Sequence, residues 1–262
     1  MTPFRNLLRS VGWAGLGVLL VAIFLSDFLA QAPAGAVMPG TELWGPSPLH
    51  PFGTDVLGRD ILSETLHGLH QTGRQAIWAA VVAILAGGLF GAVAARLPRP
   101  LALALRSLFG VLGALPALLL TIVLVGLFGR DVLALAAGLA AAPRAFLRTF
   151  DTVDLSSPHA DYARATGIPG TTLLQRDLTY DFRQRLGSLA ARALAAVTIT
   201  VSTASFLGFG ASPPARDLGL ILAAAKAGYI AAWWTAFFPG LALILFVLCA
   251  RLAAGLEEGE RA

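Results

Sequence analysis

Charged residues are scarce in this chain of 262 residues, of which they make up only 13%. A soluble globular protein carries about 25%. Hydrophobic residues make up 56%, and the mean hydropathy is +0.74. Because few polar side chains are available to cover a soluble body, the composition indicates a protein that lies in a lipid bilayer. It excludes a soluble cytosolic enzyme and an intrinsically disordered protein.

Cysteine and phosphate-binding loops are also lacking. Cys249 is the one cysteine of the sequence, so no intrachain disulfide can form and a disulfide-stabilised secreted scaffold is excluded. The sequence contains no G-x-x-x-x-G-K-[ST] segment, the loop that cradles nucleotide phosphates, so we expect no ATP site in this chain. Ser205 has no His and carboxylate companions at a recognisable spacing, and we therefore expect no catalytic residues.

The sequence does contain long intervals without charged residues. A membrane helix needs about 20 consecutive apolar residues, and five intervals approach or exceed that length: 10–26, 75–95, 107–129, 193–215 and 227–250. A sixth, 132–150, carries Arg144 and Arg148 near one end, where long basic side chains reach the headgroups. The runs are continuous and lack the alternation of a barrel strand. The sequence therefore predicts an all-α polytopic membrane protein with about six transmembrane helices.

The positions of Lys and Arg predict the orientation. With six spans, 14 of the 19 cations lie on the side shared by both termini and by the second and fourth connections. By the positive-inside rule both termini are expected to be cytoplasmic. The net charge of +4 is thus interpreted as topology and not as nucleic-acid binding. An N-terminal signal peptide is the weaker alternative, because no small-residue cleavage site leads into a soluble domain.

The first long connection, residues 31–74, lies on the predicted outer side and is too long for a simple turn. Thr54 or Asp55 is placed to cap a helix whose apolar residues recur at helical spacing, namely Leu57, Ile61, Leu62, Leu66 and Leu69. Asp55, Arg59 and Asp60 are spaced to form a salt-bridged cluster. The pattern predicts an amphipathic helix at the outer membrane face. A contact site for a solute or receptor is the open alternative.

The second long connection, about residues 151–190, lies on the predicted cytoplasmic side. A short helix beginning near Asp161 is expected to break between Gly167 and Gly170, because Pro169 cannot continue a helix. A second polar helix follows. The pattern predicts a compact helix–turn–helix typical of a docking element, with a solvated loop as the alternative.

Single residues inside the predicted spans suggest packing roles, with gating hinges as the alternative. Pro116 and Pro143 are positions where a helix can kink. Gly87, Gly88 and Gly91 allow close approach of a neighbouring helix.

Histidines and aromatic residues outside the spans favour interfacial roles. His67 and His70 stand three residues apart on the predicted outer helix, but without nearby Cys or clustered carboxylates we expect no metal site. Trp233 and Trp234 beside Tyr229 are typical of the outer membrane interface.

Three segments together resemble a known family of membrane permeases. Residues 50–60 are similar to the "HPxGTDxxGRD" signature of inner-membrane permeases of peptide/nickel-type ABC importers, in particular the C-type subunit of oligopeptide and dipeptide systems. Residues 161–170 resemble the EAA loop of that superfamily. Residues 205–240 are similar to its closing "SFLGLG…PP…WG…FPG" pattern. The matching outer residues are His50, Gly53, Thr54, Asp55, Gly58, Arg59 and Asp60, and the matching loop residues are Asp161, Ala165, Thr166 and Gly170.

The resemblance implies a type I ABC importer transmembrane fold. Residues 1–74 would form an N-terminal cytoplasmic segment, the first transmembrane helix and an external amphipathic segment. Residues 75–262 would form the core permease domain, with a coupling loop at about 151–190. In that loop Asp161, Ala165, Thr166 and Gly170 would dock an ATPase subunit.

The resemblance also implies partners and a location. A second homologous permease, two ATP-binding subunits that carry ATP and Mg, and an extracytoplasmic solute-binding protein would complete the importer in a bacterial inner membrane. The solute would be a peptide or a related small molecule, nickel or a metal chelate included. A self-contained channel or secondary carrier is the alternative, but it needs ionisable groups within the spans, and the sequence shows almost none there.

Overall fold

The computed structural model describes residues 2–94, 97–152, 170–210, 216–226, 228 and 230–255. Within these residues the chain is helical, and its β-pairing is confined to one isolated bridge between Thr54 and Asp60. The helices are α1 (Thr2–Phe24), α2 (Ser26–Leu29), α3 (Ile61–Ala94), α4 (Arg99–Ala114), α5 (Ala117–Phe128), α6 (Leu133–Thr152), α7 (Gly170–Ala204), α8 (Leu218–Ala225) and α9 (Trp234–Ala254). The predicted all-α class is confirmed.

Four helices of the described residues are long and apolar enough to cross a membrane. These segments are Asn6–Phe24, Ile61–Gly91, Gly187–Phe209 and Trp234–Ala254. A fifth is added if α4 and α5, which meet at an angle of 87°, form one broken span. The break lies at Pro116, where the sequence predicted a kink, because proline cannot supply the amide proton that a continuing helix needs.

The directions of the helices show how often the chain passes along the bundle. A Cβ on Gly138 of α6 would lie 2.6 Å from the carbonyl oxygen of Ala79, and one on Gly87 would lie 2.6 Å from Cβ of Ala145. Later residues of α3 therefore meet later residues of α6, so these two helices run in the same direction. The chain between them must therefore return along the bundle before α6 begins. Among the described residues, four helices, or five if α4 and α5 form one span, have the length and composition of a membrane span, against about six predicted from the sequence.

The two ends of the bundle are distinct. A Cβ on Gly12 would collide with the backbone of Ala253, and one on Gly15 would lie 2.5 Å from Sγ of Cys249, so α1 and α9 run antiparallel. The beginning of α1 and the end of α9 thus lie at the same end. We call the opposite end, where residues 30–60 lie, the loop end.

Small residues allow the helices to pack closely. The α3–α6 contact is built from buried alanines on both helices, among them Ala76, Ala79, Ala83, Ala136, Ala137 and Ala140. Lipid offers little hydrophobic driving force between helices, so close van der Waals contact of small side chains is what holds such a pair together. The predicted role of Gly87 is confirmed. At Gly88, by contrast, a Cβ would meet no atom within 4 Å.

This difference between adjacent glycines gives a test. Gly87→Val is expected to destabilise the fold by about 1–3 kcal/mol, the usual effect of overpacking, because its side chain would collide with the backbone of α6. Gly88→Val carries the same change in helix propensity without the collision. Thermal unfolding of both variants in detergent measures the difference, and equal melting temperatures would contradict the α3–α6 packing.

The region before α3 corrects one expectation. The amphipathic outer helix and the second span were predicted as separate, but they form one helix of 34 residues, about 51 Å long at 1.5 Å per residue. The change from polar to apolar composition near residue 75 does not interrupt it. The expected cap, Thr54 or Asp55, is also wrong: the Thr54 hydroxyl binds the earlier segment at Trp44, and Asp55 binds within its own turn. Asp60 caps the helix instead.

Candidate functional site

Residues 50–60, which carry the permease signature, fold into a compact turn at the loop end. Asp55 organises it: its Oδ1 accepts hydrogen bonds from the amides of Leu57 at 2.8 Å and Arg59 at 2.9 Å. Its Oδ2 accepts one from Arg59 Nε at 2.6 Å and forms an ion pair with the same guanidinium. The predicted pairing of Asp55 with Arg59 is therefore confirmed, but Asp60 takes no part in it.

Asp60 instead joins the turn to α3. Its Oδ2 accepts hydrogen bonds from both the amide and the hydroxyl of Ser63, each at 2.8 Å, which satisfies free donors of the first turn of the helix. Its Oδ1 lies 3.0 Å from Nδ1 of His50. A carboxylate is also stabilised by the positive end of the helix dipole. Asp60 is 2% exposed, so both oxygens are committed within the protein.

Thr54 joins the turn to two distant segments. Its hydroxyl donates to the carbonyl of Thr41 and accepts a hydrogen bond from the amide of Trp44 at 2.9 Å. Its own carbonyl accepts a hydrogen bond from Nε1 of Trp234 at 3.0 Å. The turn, the preceding segment and the start of α9 are thus tied together at one fully buried residue.

This contact revises the expected role of the tryptophans. Trp234 is part of the tie at Thr54, whereas Trp233 is 57% exposed, as a residue at a membrane interface is. Tyr229 lies outside the described residues.

Gly53 and Gly58 are required by conformation and by space. Both have φ of +73°, in the left-handed region that side chains other than glycine rarely adopt. A Cβ on Gly53 would lie 2.7 Å from the carbonyl oxygen of Trp44, and one on Gly58 would collide with the carbonyl of Met38. The glycines of the signature are therefore explained by the close approach of the segment that precedes it.

The first turns of α3 hold the chain that enters the loop end. Ser63 Oγ accepts hydrogen bonds from the amides of Gln31 at 3.0 Å and Ala32 at 3.1 Å. His67 Nε2 lies 3.2 Å from the carbonyl of Ala32, and His70 Nδ1 lies 3.0 Å from Ser26 Oγ. Both histidines are engaged in these contacts. Among the described residues, no three His, Cys, Asp or Glu side chains are grouped as a metal site would require.

A second polar cluster at the loop end was missed by sequence reasoning. Asp217 is fully buried; its Oδ1 caps α8 through the amide of Leu220 at 2.9 Å, and its Oδ2 accepts a hydrogen bond from Ser205 Oγ at 2.7 Å. Glu64 Oε2 lies 3.2 Å from Arg216 Nε. An Asp directly before the apolar run of α8 is a recognisable capping signal. No local pattern in the sequence predicts the pairing of Glu64 with Arg216.

The predicted coupling loop is described only at its end. Asp161, Ala165 and Thr166 lie outside the described residues. Gly170 is the first residue of α7, which continues for 35 residues to Ala204. The second polar helix expected after the break is therefore the beginning of α7 itself, continuous with the fifth predicted span.

Four or five candidate membrane spans among the described residues, apolar exposed surfaces and a polar loop end define a multi-pass α-helical membrane protein. No family model matches the chain. Over 252 residues it is 29% identical to the dipeptide transport system permease protein DppC of Escherichia coli K12, covering 92% of this chain and 84% of that protein. Over 213 residues it is 28% identical to the di/tripeptide permease DppC of Pseudomonas aeruginosa, covering 79% and 70%.

A putative peptide transport system permease of Brucella suis is 27% identical over 263 residues, covering 97% of this chain and 88% of that protein. Relatives of one kind thus match nearly the whole chain. The resemblance seen in the sequence is thus confirmed: over most of its length the chain is similar to permease proteins of peptide and dipeptide transport systems.

Proposed function

We propose that this permease moves peptides, or a small solute of related chemistry, into the cell. The observation that carries the proposal is the similarity, over as much as 97% of the chain, to permeases named for peptide, dipeptide or di/tripeptide transport. The described residues offer no grouped metal ligands, which favours a peptide over a free metal ion as the solute.

The energy for transport is proposed to come from partner subunits. The sequence has no phosphate-binding loop, so ATP and Mg would bind to two ATP-binding subunits, and this chain would have no enzymatic activity. A second homologous permease would complete the path, and an extracytoplasmic solute-binding protein would deliver the solute. Large apolar side chains at the surface, such as Leu85, Leu89, Val123 and Leu127, are suited to lipid or to the second permease.

The loop end would face the outside of a bacterial inner membrane. Two observations support this orientation. The beginning of α1 and the end of α9 lie at the same end, as the expected cytoplasmic termini require. The cations also concentrate on the side of the termini.

The residues before α7 are proposed to dock the ATP-binding subunit. In that role the segment from Asp161 to Gly170 would seat in the partner, and α7 would carry its displacement along the bundle. Gly170→Asp, which places a charge and a side chain at the start of α7, is expected to lower uptake by the assembled complex at least tenfold. Gly170→Ala is the control for loss of glycine alone. Uptake by Gly170→Asp at the wild-type rate would contradict the docking assignment.

ATP hydrolysis assays test whether the ATP-binding subunits, and not this chain, hydrolyse ATP. We expect the purified chain to hydrolyse no ATP above background, and the complex with its ATP-binding subunits to hydrolyse it at a rate that rises when the loaded solute-binding protein is added. Hydrolysis by the isolated chain would contradict the proposal.

A further inference from the structure

The helix α7 is a continuous rod that ends in an irregular turn. Its 35 residues, Gly170–Ala204, span about 52 Å at 1.5 Å per residue, and the following turn, Ser205–Phe209, is kinked at Gly208. Gly208 in this turn has φ of +93°, although a Cβ there would meet no atom within 4 Å. The glycine is therefore needed for its backbone conformation and not for space.

Two hydrogen bonds hold the loop end of this rod to α8 and α3. Ser205 Oγ donates to Asp217 Oδ2 at 2.7 Å, which joins the turn to the cap of α8. The amide of Leu218 donates to Thr72 Oγ1 at 2.9 Å, which joins the start of α8 to α3. The start of α8 thus bridges two helices that both pass along the bundle.

An ion pair lies beside these bonds and is incompletely satisfied. Glu64 and Arg216 have side chains that are only 4% and 15% exposed. Glu64 Oε2 and Arg216 Nε lie 3.2 Å apart, yet neither atom makes a hydrogen bond to any group. Burying two charges costs desolvation free energy, and only excellent geometry with further hydrogen bonds offsets it. Glu64 is held on its other oxygen, Oε1, by the amide of Gly35 at 2.6 Å, so the contact with Arg216 is the incompletely satisfied part of this cluster.

The neighbouring ion pair of Asp55 and Arg59 differs in geometry from the pair of Glu64 and Arg216. Arg59 and Asp55 lie close by in the signature turn, where Arg59 Nε donates a hydrogen bond of 2.6 Å and Asp55 is further satisfied by backbone amides. That pair has the geometry of a permanent structural tie. In the pair of Glu64 and Arg216 the carboxylate also accepts a hydrogen bond from a backbone amide, that of Gly35, but Glu64 Oε2 and Arg216 Nε make no hydrogen bond to each other.

We propose that Glu64, Arg216, Ser205 and Asp217 form a latch that breaks and reforms in each transport cycle. When the latch is closed, the ends of α7 and α8 are held on α3; when it is open, α7 is free to shift relative to α3 at the loop end. The inference rests on the proposed function, because the displacement of α7 would begin at the proposed docking segment. The adjoining cavity, with a volume of about 20 Å³, is too small for a peptide, so the cluster is not a solute site.

Cross-linking the latch tests whether it must open. Glu64→Cys and Arg216→Cys are introduced together into a Cys249→Ser background and joined by a short reducible bis-methanethiosulfonate reagent in the assembled complex. Removing both charges at once avoids leaving one buried and unpaired. We expect cross-linking to lower peptide uptake and solute-stimulated ATP hydrolysis at least tenfold, and reduction to restore both. A fully cross-linked complex that transports at the uncross-linked rate would overturn the proposal.

A second pair on the same helix is the matched control. Ser63 stands one residue before Glu64 and binds the amide of Ala32 at 3.1 Å, in a segment held by several other bonds. Cross-linking Ser63→Cys to Ala32→Cys is expected to leave uptake at the rate of the same variant before cross-linking, a comparison that allows for loss of the Ser63 hydroxyl. If both cross-links arrest transport equally, the effect is general rigidity of the loop end, and the latch is rejected.

Hydrogen exchange on the wild-type complex gives an independent result that needs no variant. The amide of Leu220 is bonded to Asp217 in the latch, and that of Leu218 is bonded beside it to Thr72. The amides of Gln31 and Ala32 are bonded away from the latch. Between the nucleotide-free and the ATP-trapped complex we expect the exchange rate of the first pair to change at least tenfold and that of the second to stay constant. Equal rates for the first pair in both states would overturn the latch. A wild-type complex without solute-stimulated ATP hydrolysis would instead contradict the proposed function.

Discussion

Asp60→Ala is expected to destabilise the permease by about 2–4 kcal/mol, the combined effect of a lost helix cap and of buried partners left without an acceptor. The side chain accepts two hydrogen bonds from Ser63 at the start of α3 and contacts His50 through its other oxygen. Because Asp60 is almost fully buried, water does not replace these bonds. Thermal unfolding in detergent and the amount of folded chain in the membrane both measure the loss.

Asp60→Asn distinguishes the contribution of the capping hydrogen bonds from the contribution of the negative charge. The amide retains an oxygen that accepts the bonds from Ser63, so its destabilisation is expected to be less than half that of Asp60→Ala. What it loses is the carboxylate at the positive end of the α3 dipole and its contact with His50. If both variants melt at the wild-type temperature, the signature turn does not anchor α3 and its assignment as a structural tie is wrong.

Gly219→Ala is expected to lower the melting temperature and to reduce assembly of the permease, although alanine favours helix more than glycine does. A Cβ at this position would collide with the carbonyl of Ser202 and lie 2.9 Å from Cβ of Ser205. Since backbone cannot move aside as a flexible side chain does, α8 would have to shift away from α7. Overpacking of this kind costs about 1–3 kcal/mol, and sometimes more.

Gly240→Ala is the matched control, because both glycines are helical and belong to the closing permease pattern. A Cβ on Gly240 would meet only Leu222, at 3.8 Å, which is ordinary contact. We expect Gly240→Ala to melt at or slightly above the wild-type temperature. A loss of stability equal to that of Gly219→Ala would contradict the close approach of α8 to α7.

Much of the architecture was predictable because it depends on local composition. Continuous apolar runs predicted the passages, and Pro116 marked the bend between α4 and α5 because proline breaks the hydrogen-bond ladder. The start of α3 was predicted wrongly. Helical spacing of apolar residues begins at Leu57, but Asp55 uses its side chain to close the turn, and the helix cannot begin until Asp60 supplies a free cap.

The chemistry of the loop end depends on contacts between distant segments. The signature residues were identified as a group, but the partner of Thr54 is Trp234, 180 residues away. Likewise Glu64 lies on α3 and Arg216 precedes α8, and no periodicity links them. Such pairs form because the helices bring their ends together, which a single sequence does not reveal. The docking role of Asp161, Ala165 and Thr166 stays a prediction.

Uptake by a reconstituted complex tests the central claim most directly. Proteoliposomes would contain the second permease and the ATP-binding subunits with or without this chain, and a radiolabelled dipeptide would be supplied on its solute-binding protein. We predict uptake only when this chain, the binding protein and ATP are all present. Uptake by this chain alone, driven by an ion gradient without ATP, would contradict the account and identify a self-contained carrier.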